Sequence, residues 1–220
     1  MATILFENAD YIAVDKPEGL SCIPERDRSA PSLLRTLEEE RSIRLYVVHR
    51  LDKEASGVMI YAKNADAHRH LNDLFAERKV EKRYLLLVHG VLGVDQGRIE
   101  KAIREFGSGR MGIDERRGKA AITEYHVLER FPAATLIEAH PHTGRRHQLR
   151  VHFYSEGHPV VGDVRYGDKT LQSHYKRLML HAKRIAFDAP GGERIEVEAA
   201  VPTSFERTVS VGRGSIVDGQ

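Results

Sequence analysis

The sequence predicts an α+β fold with a mixed, mainly antiparallel central sheet flanked by helices and loops. Three observations lead there. Short apolar runs with strand-like alternation recur along the chain, helical stripes are fewer, and no internal repeat, low-complexity tract or linker interrupts the pattern. With 220 residues the chain is long enough for a single domain with a substantial core, or at most a core split into two lobes.

In chain order, residues 4–6 and 11–14 read as strands. Pro31 is placed to open a short helix with Leu33, Leu34 and Leu37 inward. Runs at 45–48 and 58–62 are again strands, and Ala67, Leu71, Leu74 and Phe75 form a helical stripe that Asn64 can cap, with Asp66 in the first turn. Strands follow at 84–89, 121–128 and 134–139. Thr143-Gly144 looks like a helix entrance with Leu149 and Phe153 as a buried i, i+4 pair. Strands at 183–187 and 194–199 close the domain, set at residues 1–203. Residues 204–220, with Gly212-Arg213-Gly214-Ser215, lack a core pattern and read as a flexible tail.

The formal net charge of +2 does not announce a polyanion partner, so its distribution decides. Residues 1–20 hold four acids against Lys16, whereas 164–187 hold six bases against Asp168. Residues 98–119 carry seven Lys or Arg against four acids, with Gly107, Gly109 and Gly112, and read as a flexible basic loop. Any one such run is ordinarily a solvated face; several around a motif cluster point to a polyanion. A single Cys22 excludes an internal disulfide and fits a reducing compartment. No apolar stretch is long enough to span a bilayer and no basic leader precedes the first apolar run, so a soluble, cytoplasmic protein is expected, and a monomer.

Two polar clusters carry the chemistry. His49-Arg50-Leu51-Asp52 stands between two apolar runs, with Ser56-Gly57 read as turning the chain, and presents a carboxylate with a cation two residues away. An isolated Asp after a strand is ordinarily a turn former. The second cluster, residues 140–152, raises its standing with three arginines and no acid. If a helix starts at Thr143, Arg146 and Arg150 share a face that, with the free N–H groups at the helix start, favours phosphate or carboxylate. Arg150 then becomes a partner for Asp52, and a carboxylate beside arginine suits a nucleophile or base rather than a proton donor.

Other chemistries are excluded on spacing. His142, His147 and His152 recur every five residues, which scatters side chains around a helix, and no His-Glu-x-x-His occurs, so no metal is expected. There is no Gly-x-Ser-x-Gly, no nucleophile context around Cys22 and no phosphate-binding Gly-rich signature. A cofactor-free reaction on a substrate that brings its own phosphates remains.

The ordered motifs resemble those of the RluA-type pseudouridine synthases. These are His49-Arg50-Leu51-Asp52, Thr143-Gly144-Arg145-Arg146-His147-Gln148-Leu149-Arg150, Asp15-Lys16-Pro17-Glu18-Gly19-Leu20, Glu81-Lys82-Arg83-Tyr84, Gly157-His158-Pro159 with Gly162-Asp163, and Leu178-Met179-Leu180-His181-Ala182. The resemblance implies the pseudouridine synthase catalytic-domain fold and isomerisation of uridine in RNA: the N1 glycosidic bond breaks, the uracil turns, and C5 bonds to the same sugar carbon. Asp52 matches the essential aspartate; attack on the sugar carbon, a part in proton removal leading to a glycal, and addition to the uracil ring all remain open. Tyr84 matches the tyrosine that packs on the target base and can assist proton transfer at C5. Arg150 matches the arginine salt-bridged to the aspartate. Arg50 matches a residue that fills the gap left by the flipped nucleotide, Leu180 lies in the motif lining the uracil pocket, and His49, Arg145, Arg146 and His147 fall within the substrate-binding motifs. Flipping is required because the bond to be cut is inaccessible inside a stack.

Arg146 departs from the usual Thr or Ser and adds a charge beside Arg150. Larger members carry an N-terminal RNA-binding module, whereas here the first motif begins at Asp15, so target choice is expected to reside in the catalytic domain. Short members of this kind act on tRNA anticodon stem-loops, on 23S rRNA hairpins, or on both, and loop uridines cost less to extrude. The competing expectation is a non-catalytic RNA-binding or ribosome-assembly protein on the same fold, for which the basic intervals would suffice.

Overall fold

In the computed structural model, which describes residues 2–25, 27 and 29–214, strands outnumber helices. The chain runs β1 (Thr3–Glu7), β2 (Tyr11–Lys16), α1 (Leu33–Arg41), β3 (Tyr46–Val47), β4 (Ser56–Ala62), α2 (Ala65–Ala76), β5 (Glu81–His89) and β6 (Gln96–Glu100). It continues through β7 (Ile103–Glu105), β8 (Met111–Ile113), β9 (Ile122–Arg130), β10 (Ala134–Pro141), α3 (Gln148–Ser155), α4 (Lys169–Gln172), β11 (Leu180–Asp188), β12 (Arg194–Glu198) and α5 (Thr203–Gly214). Two compact units are formed, Met1–Lys82 with His181–Ala200, and Arg83–Leu180 with Val201–Gln220.

In the first unit β2 lies between β1 and β4, both antiparallel, and β12 pairs antiparallel with β11. The β4–β11 pairing is parallel, with His181 opposite Ser56 and Ala182 opposite Gly57. All of β4 is buried, as its unbroken apolar run suggests. Gly57 is obligatory there: its φ is +112°, and a Cβ would stand 2.2 Å from the Ala182 carbonyl oxygen. Ser56-Gly57 therefore opens β4 rather than turning the chain; the turn comes earlier, closed by Ala55 N donating to Asp52 O at 3.1 Å. Asn64 caps α2 by accepting from Ala67 N, and α2 sets Ala67 and Leu71 against a core of Tyr11, Val58, Ile60, Ile185 and Phe187. On α1 the cap is Ser32, one residue after Pro31, and Leu33 and Leu37 are buried while Leu34 is only partly so.

The second unit is an antiparallel array in the order β5, β10, β9, β6, with β7 and β8 forming a separate hairpin. That hairpin and β6 occupy the segment expected to be a flexible basic loop. Its glycines and charges conceal an apolar set, Ile103, Met111 and Ile113, which packs with Ala121, Val151 and Tyr166. The expected helix entrance at Thr143 is also displaced. His147, in the left-handed region at φ 54°, precedes α3, which starts at Gln148. Thr143 instead donates its hydroxyl to Gln148 Oε1 at 2.6 Å and accepts Ile122 N at 3.0 Å. Residues 148–153 are all buried, so α3 is an interior helix and not an amphipathic one.

The tail expected from residue 204 is a helix as far as Gly214. Phe205 and Val209 are buried at helical spacing, and Arg177 stacks over Phe205 while donating to Ser204 Oγ at 2.8 Å. Residues 215–220 lie outside the described residues. No helix among the described residues is long and apolar enough to cross a membrane.

Candidate active site

Asp52 sits in the connection between β3 and β4, and the first unit fixes the residues on either side of it. Leu51 is clamped through its backbone: its N–H donates to Cys22 Sγ and its carbonyl accepts from Cys22 Sγ, each at 3.3 Å. On the other side, the Lys53 carbonyl accepts from Lys16 Nζ at 3.1 Å and from Gly19 N at 2.8 Å. Lys16 is fully buried and also donates to the carbonyls of Pro17 at 2.9 Å and Leu20 at 2.8 Å. Burial pulls its ammonium down to about 8, against the opposing pull of Cys22, Asp52, Glu54 and Glu18. The Asp15-to-Leu20 motif thus holds the backbone that presents Asp52. A charge buried with three carbonyl partners is the kind of second layer that keeps a reactive loop in one conformation.

His49 supports the same loop from inside. Its Nε2 accepts the Ile60 N–H at 3.1 Å and its ring stacks on Phe75, centroids 5.2 Å apart. Burial, with Lys82 adding to it, drives its pKa to about 3, so the ring is a neutral imidazole at physiological pH, free to accept at Nε2. Arg50, next in the chain, is exposed. His181 is buried and joins Ser56 Oγ through Nδ1 at 3.0 Å, tying the Leu178-to-Ala182 motif to the start of β4.

The remaining candidates lie in the second unit. Arg150 is buried on α3 and gives Nε and Nη2 to the two oxygens of Asp163, at 2.7 and 2.8 Å, in a fork geometry. Asp163 also accepts the backbone N–H groups of Arg165 and Tyr166. The Tyr166 ring lies 5.2 Å from the Arg150 guanidinium; its hydroxyl pairs with His147 Nδ1 at 2.6 Å and accepts Met111 N at 3.3 Å. Gln148 closes the loop before α3, accepting Arg145 N and donating to Ile122 O and Thr123 Oγ1. Asp163, Tyr166, Gln148 and Lys16 are the supports that motif reading left without a role. Each was visible in a motif or at its edge, but the partner that links it to another element is distant in sequence.

Arg146 does not share a helix face with Arg150, because it precedes α3; it is exposed and pairs with Glu105 at 2.8 Å. Arg145 donates Nε to Ala120 O at 3.2 Å. Tyr84 is half-buried on β5 opposite Ala139 of β10, and Leu180 is buried at the start of β11. The three histidines spaced by five face different partners: His142 meets Glu124, His147 meets Tyr166, and His152 meets Thr123 and the Lys101 carbonyl. The group with metal-ligand spacing among the described residues is instead Glu124, His140 and His142, whose ligating atoms lie within 4.8 Å of one another. Glu124 there is already compensated by Arg98 at 2.8 Å and His142 at 2.9 Å.

The first unit thus fixes the backbone on both sides of Asp52, and the second holds Arg150 on Asp163 beside the Tyr166–His147 pair. Residues 10–155 match the RNA pseudouridylate synthase family. The chain belongs to this family, of the RluA type, whose members are isomerases that convert uridine to pseudouridine. It is 40% identical to an RNA pseudouridine synthase of Aquifex aeolicus, over 94% of this chain and 72% of that protein. It is 34% identical to the ribosomal large subunit pseudouridine synthase C of Vibrio vulnificus, over 96% and 70%. The structure of human RNA pseudouridylate synthase domain containing 1 superposes with a TM-score of 0.80 at 29% identity, covering 97% of this chain and 95% of that one.

Proposed function

We propose that this enzyme isomerises a loop uridine of structured RNA, in large-subunit rRNA or a tRNA anticodon stem-loop, with Asp52 as the catalytic carboxylate. The observation that carries this is the double clamp on Leu51 and Lys53 by Cys22 and Lys16, which fixes the one backbone segment whose side chain the chemistry needs. A carboxylate meets the demand of the reaction because the departing uracil leaves cationic character on the ribose. No atoms enter or leave in this reaction. Tyr84 supplies an aromatic face for the target base, Arg150 a fixed positive charge, and Arg50, exposed two residues before Asp52, fills the gap the flipped nucleotide leaves.

Relatives named as large-subunit synthases favour the rRNA target. The test is release of tritium from [5-³H]uridine-labelled bulk rRNA and tRNA, without added metal or cofactor. Release from one pool and not the other assigns the substrate class. No release from either would overturn the reading.

A further inference from the structure

In the second unit the β7–β8 hairpin and α3 line a half-open pocket of about 480 Å³, walled by Phe106, Arg110, Met111 and Ile113 from the hairpin and by Val151 and Tyr154 from the helix. That is within the range of pockets that take small organic ligands, about 300–1,000 Å³. Two of its aromatic walls face solvent, Phe106 at 41% and Tyr154 at 46% exposure, where rings of this size are usually covered. Cations lie over aromatic rings there: the Arg104 guanidinium is 5.4 Å from the Phe106 ring, and that of Arg110 is 5.7 Å from Tyr154 and 5.2 Å from Tyr166.

The exposed ring of Phe106 is held in position. Phe106 N donates to Arg110 O at 2.9 Å, Gly109 N donates back to Phe106 O at 2.8 Å with Gly109 at φ +70°, and the ring lies against Gly112, where a Cβ would meet it at 3.0 Å. Ordered aromatic faces interleaved with guanidinium groups, on a segment with seven bases against four acids, match the π-face and phosphate of an unpaired nucleotide.

We infer that this cavity takes one unstacked base of the RNA substrate, from a nucleotide other than the uridine being isomerised, stacked on Phe106 and Tyr154 with its phosphate beside Arg110. The inference rests on the RNA-modifying reading above and adds a second nucleotide to the recognised set. Tyr166 links the pocket to Arg150, since the guanidinium groups of Arg110 and Arg150 each lie 5.2 Å from its ring. The pocket therefore neighbours the surroundings of a candidate catalytic group, where it reads sequence context through affinity and leaves the chemical step unchanged.

The chain has no tryptophan, so Phe106→Trp installs a lone reporter in the wall. Bulk rRNA and tRNA should quench its emission and shield it from acrylamide, whereas long-chain polyphosphate at equal charge should not. Adding Tyr154→Ala should reduce that quenching and weaken RNA affinity about tenfold. Phe106→Ala should raise KM for tritium release by a similar factor with little change in kcat, and Phe106→Trp should restore it. Normal tritium release with an unresponsive reporter would overturn the pocket and leave the catalytic reading standing. Quenching by UMP or AMP as strong as by RNA, at equal base concentration, would assign the cavity to a free nucleotide and overturn it as well. Absence of tritium release by the wild type from both pools sinks the catalytic reading itself.

Discussion

Asp52→Asn keeps the shape of the side chain and removes its charge, so folding and most RNA affinity should survive while tritium release falls to background. Wild-type turnover by this variant, measured at equal thermal stability, would remove Asp52 from the mechanism. Arg150 and Asp163 make a different kind of pair, with side chains 4% and 0% exposed. Breaking a buried ion pair leaves an uncompensated charge, so Asp163→Asn should cost about 3–5 kcal/mol, read as a lowered urea midpoint, in addition to lost activity. His49 sets a pH dependence. The folded ring stays neutral to about pH 3, while the unfolded ring binds a proton near 6.5. Its contribution is therefore intact above pH 6.5 and is lost as pH falls from there towards 3. His152, also shifted downward by burial, acts in the same direction. His49→Gln, whose amide oxygen can still accept the Ile60 N–H, should flatten the fall in unfolding free energy between pH 7 and 5; an unchanged slope would count against the assignment.

At the scale of elements, Gly57 is the most constrained junction in the first unit. Gly57→Ala must both strain φ and drive a methyl into the Ala182 carbonyl, so β4 and β11 would separate locally and soluble expression or Tm should drop sharply. Strands with period-two burial or an unbroken apolar run, such as β2, β4, β5 and β10, were legible because the signal lies within the element. So was α2, where cap and stripe agree. The β7–β8 hairpin was not, because three-residue strands carry too few side chains to show alternation and their glycines imitate a loop. The start of α3 was misplaced because Thr143 has the chemistry of a cap but spends it on Gln148. Asp52 was legible as a motif residue; its dependence on Lys16 and Cys22 was not, since those bonds span more than twenty-five residues.

At the scale of the whole molecule, the exposed basic turn after β8 is where the RNA-binding expectation can be tested. Arg116, Arg117 and Lys119 are exposed in the turn after β8, which Asp114 organises by accepting the N–H groups of Arg116 and Arg117 at 3.1 and 2.9 Å. Replacing all three with Ala should weaken RNA binding in low salt and reduce the slope of log K against log salt by about 2–3. An unaltered slope in filter binding would take this turn out of the RNA footprint. Asp114 is left in place, so the turn itself should persist.

The burial of Lys16 gives the enzyme an internal clock for loop opening. The Lys16 ammonium is buried on three backbone carbonyls, so acylating reagents reach it only when the segment opens. In the closed loop it is shielded. Its labelling rate, followed by mass spectrometry against the exposed lysines as internal standards, therefore counts excursions of the segment that carries Asp52 without a bound substrate.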